Sequence, residues 1–126
     1  MSGADEEVRR AILVVEDQFL LAQLMEEEIE SLGYRVVGPA GSVSEALELF
    51  DEPLTAALLD INLGDELVTP VAERLLEIDI PFGFLSAYAD AGLLPDAFAD
   101  RPFFKKPLSG KDLAEALEEL VSIGRT

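Results

Sequence analysis

Five residues carry most of the chemistry available to this sequence. Glu16 and Asp17 follow the apolar run Ala11–Val15, and Asp60 follows Ala56–Leu59. Ser86 follows Pro81–Leu85, and Lys106 closes the short run begun by Phe103 and Phe104. There is no Cys and no His. Disulfides, thiolate nucleophiles, Cys/His zinc sites and Ser-His-Asp triads are therefore excluded. What remains is carboxylate, hydroxyl and amine chemistry, with any bound metal a hard cation held by oxygen. Three carboxylates brought together repel one another unless a cation neutralises them. Mg²⁺ suits such a set, since it takes oxygen ligands and combines one or two carboxylates with phosphate. Beside it an Asp can attack phosphorus and form an acyl phosphate, with an ammonium and a hydroxyl to hold phosphoryl oxygens.

The elements that must position these residues are legible in the pattern. Ala11–Val15 is a continuous apolar run, as expected of a strand buried on both faces. Leu20, Leu21, Leu24, Met25, Ile29 and Leu32 recur at helical spacing, and Gly33 ends that helix. Residues 34–37 give a second strand, followed by a loop at Gly38, Pro39 and Gly41. Ser42 with Glu45 forms a capping box before a second helix. A third strand covers Ala56–Leu59. Thr69 and Pro70 read as the N-cap and first residue of a helix running to Ile78. Strands at 81–85 and 103–104 follow, and Ser109 with Asp112 caps a last helix. Strand and helix alternate, which predicts an α/β domain with a parallel sheet covered by helices on both faces. Sheets of this kind bind ligands beyond the carboxyl ends of their strands, where the five residues stand.

The chain has 126 residues, enough for one domain, and 26 Asp and Glu against 9 Lys and Arg leave a net charge of −17. That charge disfavours nucleic acid and anionic membranes as partners. No apolar run approaches the ~20 residues of a membrane span, and the polar start lacks a signal-peptide pattern. Residues 1–8 read as a flexible lead-in to one domain over 9–126, and a cytoplasmic location is expected.

Four segments in order carry a family likeness: Leu13–Gln18 (LVVEDQ), Leu58–Gly64 (LLDINLG), Phe84–Tyr88 (FLSAY) and Phe103–Pro107 (FFKKP). Over about residues 8–123 the chain resembles the receiver domains of two-component response regulators. The resemblance implies a flavodoxin-like, CheY-like sheet of order 2-1-3-4-5. It implies Asp60 as phosphoryl acceptor, Asp17 as a direct Mg²⁺ ligand, Glu16 acting mainly through water, and Asn62 giving its backbone carbonyl to the metal. Ser86 would hydrogen-bond the phosphoryl group, Lys106 would pair with it, and Phe103 falls at the switch aromatic. The Lys106–Pro107 bond would be cis, as is typical of receivers. Tyr88 would influence water access. Two positions depart from the common pattern: Gly64 stands where many receivers have Pro, and Ser86 where Thr is commoner. Pro81–Tyr88 also resembles the PFxFATGY signature of the FAT GUY group of single-domain regulators, differing at Leu85, Ser86 and Ala87. That group implies partner kinases of the HWE or HisKA2 type.

Taken one at a time, these residues have bland readings. Glu16-Asp17 could be a solvated helix start, Asp60 a loop acid, Ser86 a cap, Lys106 one of two surface lysines and Phe103 a core ring. All would have to hold at once to remove the site. Three other functions compete. A pseudo-receiver would bind partners without phosphorylation, against the complete acid, hydroxyl and Lys set. A haloacid-dehalogenase-type phosphatase needs an acid two residues beyond the nucleophile, where Asn62 stands. A flavodoxin-like cofactor binder needs a phosphate loop where Glu16-Asp17 would repel phosphate. The favoured reading is a stand-alone receiver, a phosphoacceptor and not an enzyme. It would be loaded by a histidine kinase or histidine phosphotransfer protein and would act on, or drain phosphate from, an unknown downstream protein, as a monomer or weak homodimer. Gly92, Pro95 and Pro102 interrupt the segment after the fourth strand, which predicts a short or mobile helical turn there in place of a regular helix.

Overall fold

The computed structural model of the chain describes residues 9–87 and 91–124. The expected lead-in at 1–8 and Tyr88 lie outside the described residues. Five strands form one parallel sheet: β1 (Ala11–Val15), β2 (Arg35–Ala40), β3 (Ala56–Asp60), β4 (Phe82–Ser86) and β5 (Phe103–Lys105), in the order β2-β1-β3-β4-β5. The helices are α1 (Phe19–Ser31), α2 (Val43–Glu48), α3 (Thr69–Glu77) and α4 (Gly110–Gly124).

Strand periodicity divides the core. Ala11, Leu13 and Val15 of β1 point into one cluster with Leu59, Leu75 and Phe84. Ile12 and Val14 point into the other with Met25, Ile29, Leu58 and Leu117. Side chains alternate along a strand, so a sheet covered on both faces needs an unbroken apolar run. The central strands β1 and β3 are buried throughout. α1 and α4 contribute to the second cluster, whereas α3 and the segment after β4 contribute to the first.

Local chemistry sets the ends of the elements. α1 closes on Gly33 at φ +96, with Gly33 N–H donating to the Glu30 carbonyl and Tyr34 N–H to the Ile29 carbonyl. This is the Schellman arrangement, which satisfies two carbonyls that the helix leaves open. The Ser42 hydroxyl accepts from Glu45 N–H at 3.2 Å, as its spacing predicts.

Two boundaries differ from the sequence reading. β2 does not end at Val37 but runs to Ala40, through Gly38 and Pro39. Pairing with β1 passes from Leu13↔Val37 to Val15↔Ala40, so β2 carries one extra residue, a bulge at Gly38 with φ +99. A Cβ there would stand 3.0 Å from the Val14 carbonyl oxygen, so only glycine fits. α3 begins one residue early, because the Val68 carbonyl already accepts from Ala72 N–H at 3.2 Å. Val68 is therefore the cap and Pro70 the second residue, where its missing N–H costs nothing.

Between β4 and β5 the described residues form two single 3-10 turns, Ala91–Leu93 and Asp96–Phe98, and no α-helix. Phe98 fixes this segment. It is 2% exposed and packs edge-on against Phe82 and Phe84, with centroids at 6.3 and 5.8 Å. Phe98→Ala is expected to cost about 3–5 kcal/mol. Leu93→Ala, at a side chain 45% exposed, is expected to cost less than about 0.5 kcal/mol. Urea denaturation of the two variants measures both. Equal losses would mean that Phe98 is not the anchor.

Candidate functional site

The residues singled out in the sequence meet at the carboxyl edge of the sheet. Glu16 is held from both sides. Its N–H donates to the Ala40 carbonyl at 2.9 Å, and its Oε2 accepts from Gln18 N–H at 3.1 Å. Its side chain is buried, as is that of Asp60, the last residue of β3, whereas Asp17 is exposed. One carboxylate oxygen from each of Glu16, Asp17 and Asp60 lies within 4.8 Å of the others.

Lys106 closes the cluster. Its Nζ stands 3.1 Å from Asp60 Oδ2 and 3.2 Å from Glu16 Oε1. β5 delivers it, with Lys106 N–H donating to the Ser86 carbonyl at 3.0 Å. Lys105, one residue earlier, is exposed, as strand alternation requires. The Phe104 ring lies directly over Gly83, where any Cβ would collide with it, so the glycine sets how closely β5 approaches β4. The Lys106–Pro107 bond is cis.

The loop after Asp60 is tied to itself. Leu63 N–H donates to the Glu66 carbonyl at 2.8 Å and Val68 N–H to the Ile61 carbonyl at 3.0 Å. Asn62 pairs across the loop with Leu67. Glu66 Oε2 accepts from Val43 N–H at 3.1 Å, anchoring the loop to α2. Gly64 has φ +81, and a Cβ there would stand 3.8 Å from Asp17 Oδ2. Proline is locked near −65° and cannot take that conformation, which accounts for glycine where many receivers have Pro. Nothing in the residue pattern marks the Glu66 contact, because its register depends on the loop's fold.

Ser86 ends β4 half-buried, and its hydroxyl donates to the Ala87 carbonyl at 2.8 Å. Phe103 is 37% exposed and its ring lies tilted on Phe84 at 5.3 Å.

The electrostatics follow from this crowding. Burial pushes the Asp60 carboxyl up, the neighbouring Glu16 carboxylate adds to the rise, and Lys106 opposes it, so the pKa goes from 3.8 to about 7. Burial alone would lower the Lys106 ammonium, but Asp60 and then Glu16 outweigh it and hold it above 10.5. With all groups ionised, three carboxylates face one ammonium. An oxygen-only donor set with surplus negative charge fits a hard divalent cation.

Fold and site define a flavodoxin-like α/β domain with a cation-capable acidic cluster opposite a lysine. Comparisons with known proteins narrow this. No protein-family model matches the chain. The solution structure of SdrG from Sphingomonas melonis Fr1 is 35% identical, aligns over 94% of this chain and 98% of that one, and has a TM-score of 0.74. A structure of the BeF3-activated conformation of SdrG is 40% identical over 88% of this chain and 95% of that one, with a TM-score of 0.72. The CheY-like response regulator receiver domain protein from Methanospirillum hungatei JF-1 shares the fold at a TM-score of 0.80 and 24% identity, over 93% and 97% of the two chains. The transcriptional regulatory protein PdtaR of Mycobacterium tuberculosis is 30% identical over 96% of this chain, which spans 61% of PdtaR's length. The chain belongs to the response regulator receiver domain family.

The raised carboxyl has a stability consequence of definite sign. Between 3.8 and about 7 the folded protein holds a proton on Asp60 that the unfolded chain releases. Stability from this group is therefore full below the lower value and falls as pH rises toward the upper one. Asp60→Asn removes the effect. In chelator at about pH 8 it should gain about 1–3 kcal/mol over wild type, a gain that shrinks toward about pH 4. Thermal denaturation across that range reads the difference. A gain independent of pH would contradict the assignment.

Proposed function

We propose that this receiver accepts a phosphoryl group on Asp60 from a histidine kinase or histidine phosphotransfer protein, with Mg²⁺ as cofactor. The observation that carries the reading is the buried Asp60 carboxylate, flanked by two further acids and 3.1 Å from the Lys106 ammonium. Asp17, Asp60, the Asn62 carbonyl and, through water, Glu16 would hold the metal. When bound, it supplies charge neutralisation between the acids and the phosphoryl oxygens.

The chain's own residues do the rest. An Asp60 oxygen forms the new bond to phosphorus while the bond from phosphorus to the donor nitrogen breaks, and the donor takes up a proton. Asp60 must be ionised to attack, a form that a bound cation would favour. Lys106 is placed to pair with the transferred group. Ser86 would turn its hydroxyl from the Ala87 carbonyl toward it, and Phe103 would follow as the switch ring. The segment between β4 and β5, next in the chain after Ser86, would then order into a partner surface.

A protein donor is supported by the flank of the site. Phe19, Leu20 and Leu24 of α1 are 77%, 73% and 57% exposed. Of these, Phe19 lines a groove of about 420 Å³ together with Asp17, Gln23 and Gly41. The Pro81–Tyr88 segment supports the FAT GUY subgroup and a donor kinase of the HWE or HisKA2 type. In this reading the protein is a cytoplasmic regulator that turns over no separate substrate, and its downstream partner is a protein. No helix among the described residues is long and apolar enough to cross a membrane.

Incubation with acetyl phosphate and Mg²⁺ tests the reading. One adduct of about 80 Da, the mass of a phosphoryl group, is expected on Asp60 and none on Asp60→Asn. Continuous turnover would indicate a phosphatase instead, and no adduct a pseudo-receiver. Asp17→Asn should weaken Mg²⁺ binding by roughly tenfold or more, since it removes a direct ligand charge. Unchanged affinity in a Mg²⁺ titration would refute the metal assignment.

The two lysines should separate cleanly. Lys106→Ala is expected to label within about threefold of wild type yet lose the amide shift changes that follow phosphorylation, while Lys105→Ala matches wild type in both. A larger defect in Lys105→Ala would overturn the role given to Lys106.

A further inference from the structure

We infer that Glu28 is a positioning residue for Lys106, acting through the loop between β5 and α4. The inference rests on the role proposed for Lys106 above.

Glu28 lies in the last turns of α1, on the helix that starts just past the Glu16–Asp17 pair. Its Oε2 accepts from Gly110 N–H at 2.6 Å, across 82 residues of sequence. The bond is charge-assisted and lies at the solvent-exposed surface. The acceptor also sits where α4 begins, at the positive end of the helix, which adds to the attraction. Ser109 stands just before α4, its carbonyl accepting from Leu113 N–H, and Glu28 joins Asp112 as an anion at the helix start.

Gly110 is built for the contact. Its φ is +57, in the left-handed region, and nothing lies within 4 Å of where a Cβ would stand. The requirement there is conformational and not one of space. Between Gly110 and Lys106 stand three residues, Pro107, Leu108 and Ser109, and Leu108 is buried in the core cluster beneath α1 and α4. The loop is thus held at three points: by the Lys106 N–H bond to Ser86, by Leu108, and by Glu28. The first two fix its start and middle. Glu28 fixes its far end and so limits how far the Lys106 backbone can drift from Asp60. α1 thus follows directly on the two acids and, through Glu28, also reaches the loop that carries Lys106.

The test is a double-mutant cycle read by binding of BeF₃⁻ with Mg²⁺, followed in ¹H–¹⁵N spectra of the full chain. Glu28→Ala should weaken BeF₃⁻ binding by about three- to tenfold when Lys106 is present. In a Lys106→Ala background the same change should have an effect of less than about 1.5-fold, because residues acting through one contact are not additive. Glu28→Gln keeps a neutral acceptor and should stay within about twofold of wild type. The Gly110 amide proton should move upfield in Glu28→Ala. The spectra also show directly whether each variant is folded. An equal loss in both backgrounds would reduce Glu28 to a general structural role and overturn the inference while leaving the receiver reading intact. A wild-type protein that bound no BeF₃⁻ would overturn the receiver reading and this inference with it.

Discussion

Two buried carboxylates, Glu16 and Asp60, share one ammonium, and much of the structure exists to keep them there. Left in water they would separate. Here β1 and β3 are adjacent strands that end at the same level, so their terminal acids cannot avoid each other. The cost appears in Asp60, whose carboxyl is pushed up to about 7 by burial and by Glu16. Lys106 offsets part of that cost from the third side, and a divalent cation would offset more. The cluster is therefore primed electrostatically for a ligand that brings positive charge.

Three groups of contacts supply the rigidity this requires. The β1–β3–β4 ladder sets the depth of the acids. The loop of Gly64 and Glu66 runs beside the exposed Asp17. The β5 approach, set by the Phe104 ring on Gly83, delivers the lysine. None of these contacts lies inside the chemistry, yet each fixes a side chain that does. This division explains why so few residues of the site are unusual in type while their neighbours are constrained.

The parallel α/β architecture and the acid positions were legible because strands buried on both faces are unbroken apolar runs, and each acid interrupts one abruptly, whereas the strand order came only from the family resemblance. The extension of β2 was not legible. Gly38-Pro39 reads as a breaker, and only the bulge and the bond from Glu16 N–H to Ala40 reveal that pairing resumes. Glu28 was hidden for another reason: it sits in the run Glu26-Glu27-Glu28, where spacing marks all three as polar and nothing marks one as a long-range acceptor. Gly64 read as a mild departure from a family pattern, whereas its φ of +81 makes it a conformational requirement. The interrupted segment after β4 was legible in its Gly and Pro content. The ring that secures it was not, since Phe98 could have served any core.

Attachment through so few side chains, Phe98 with Leu94 beside it, has an evolutionary consequence. A regular helix packed along a sheet commits a stripe of residues every third or fourth position, and each change in the stripe disturbs the core. A segment secured at Phe98 commits far fewer. The exposed positions on either side of that ring can vary while the sheet, the acids and the lysine stay as they are. Sequence drift along this stretch is therefore nearly neutral for folding, and change at the buried acids and lysine is not.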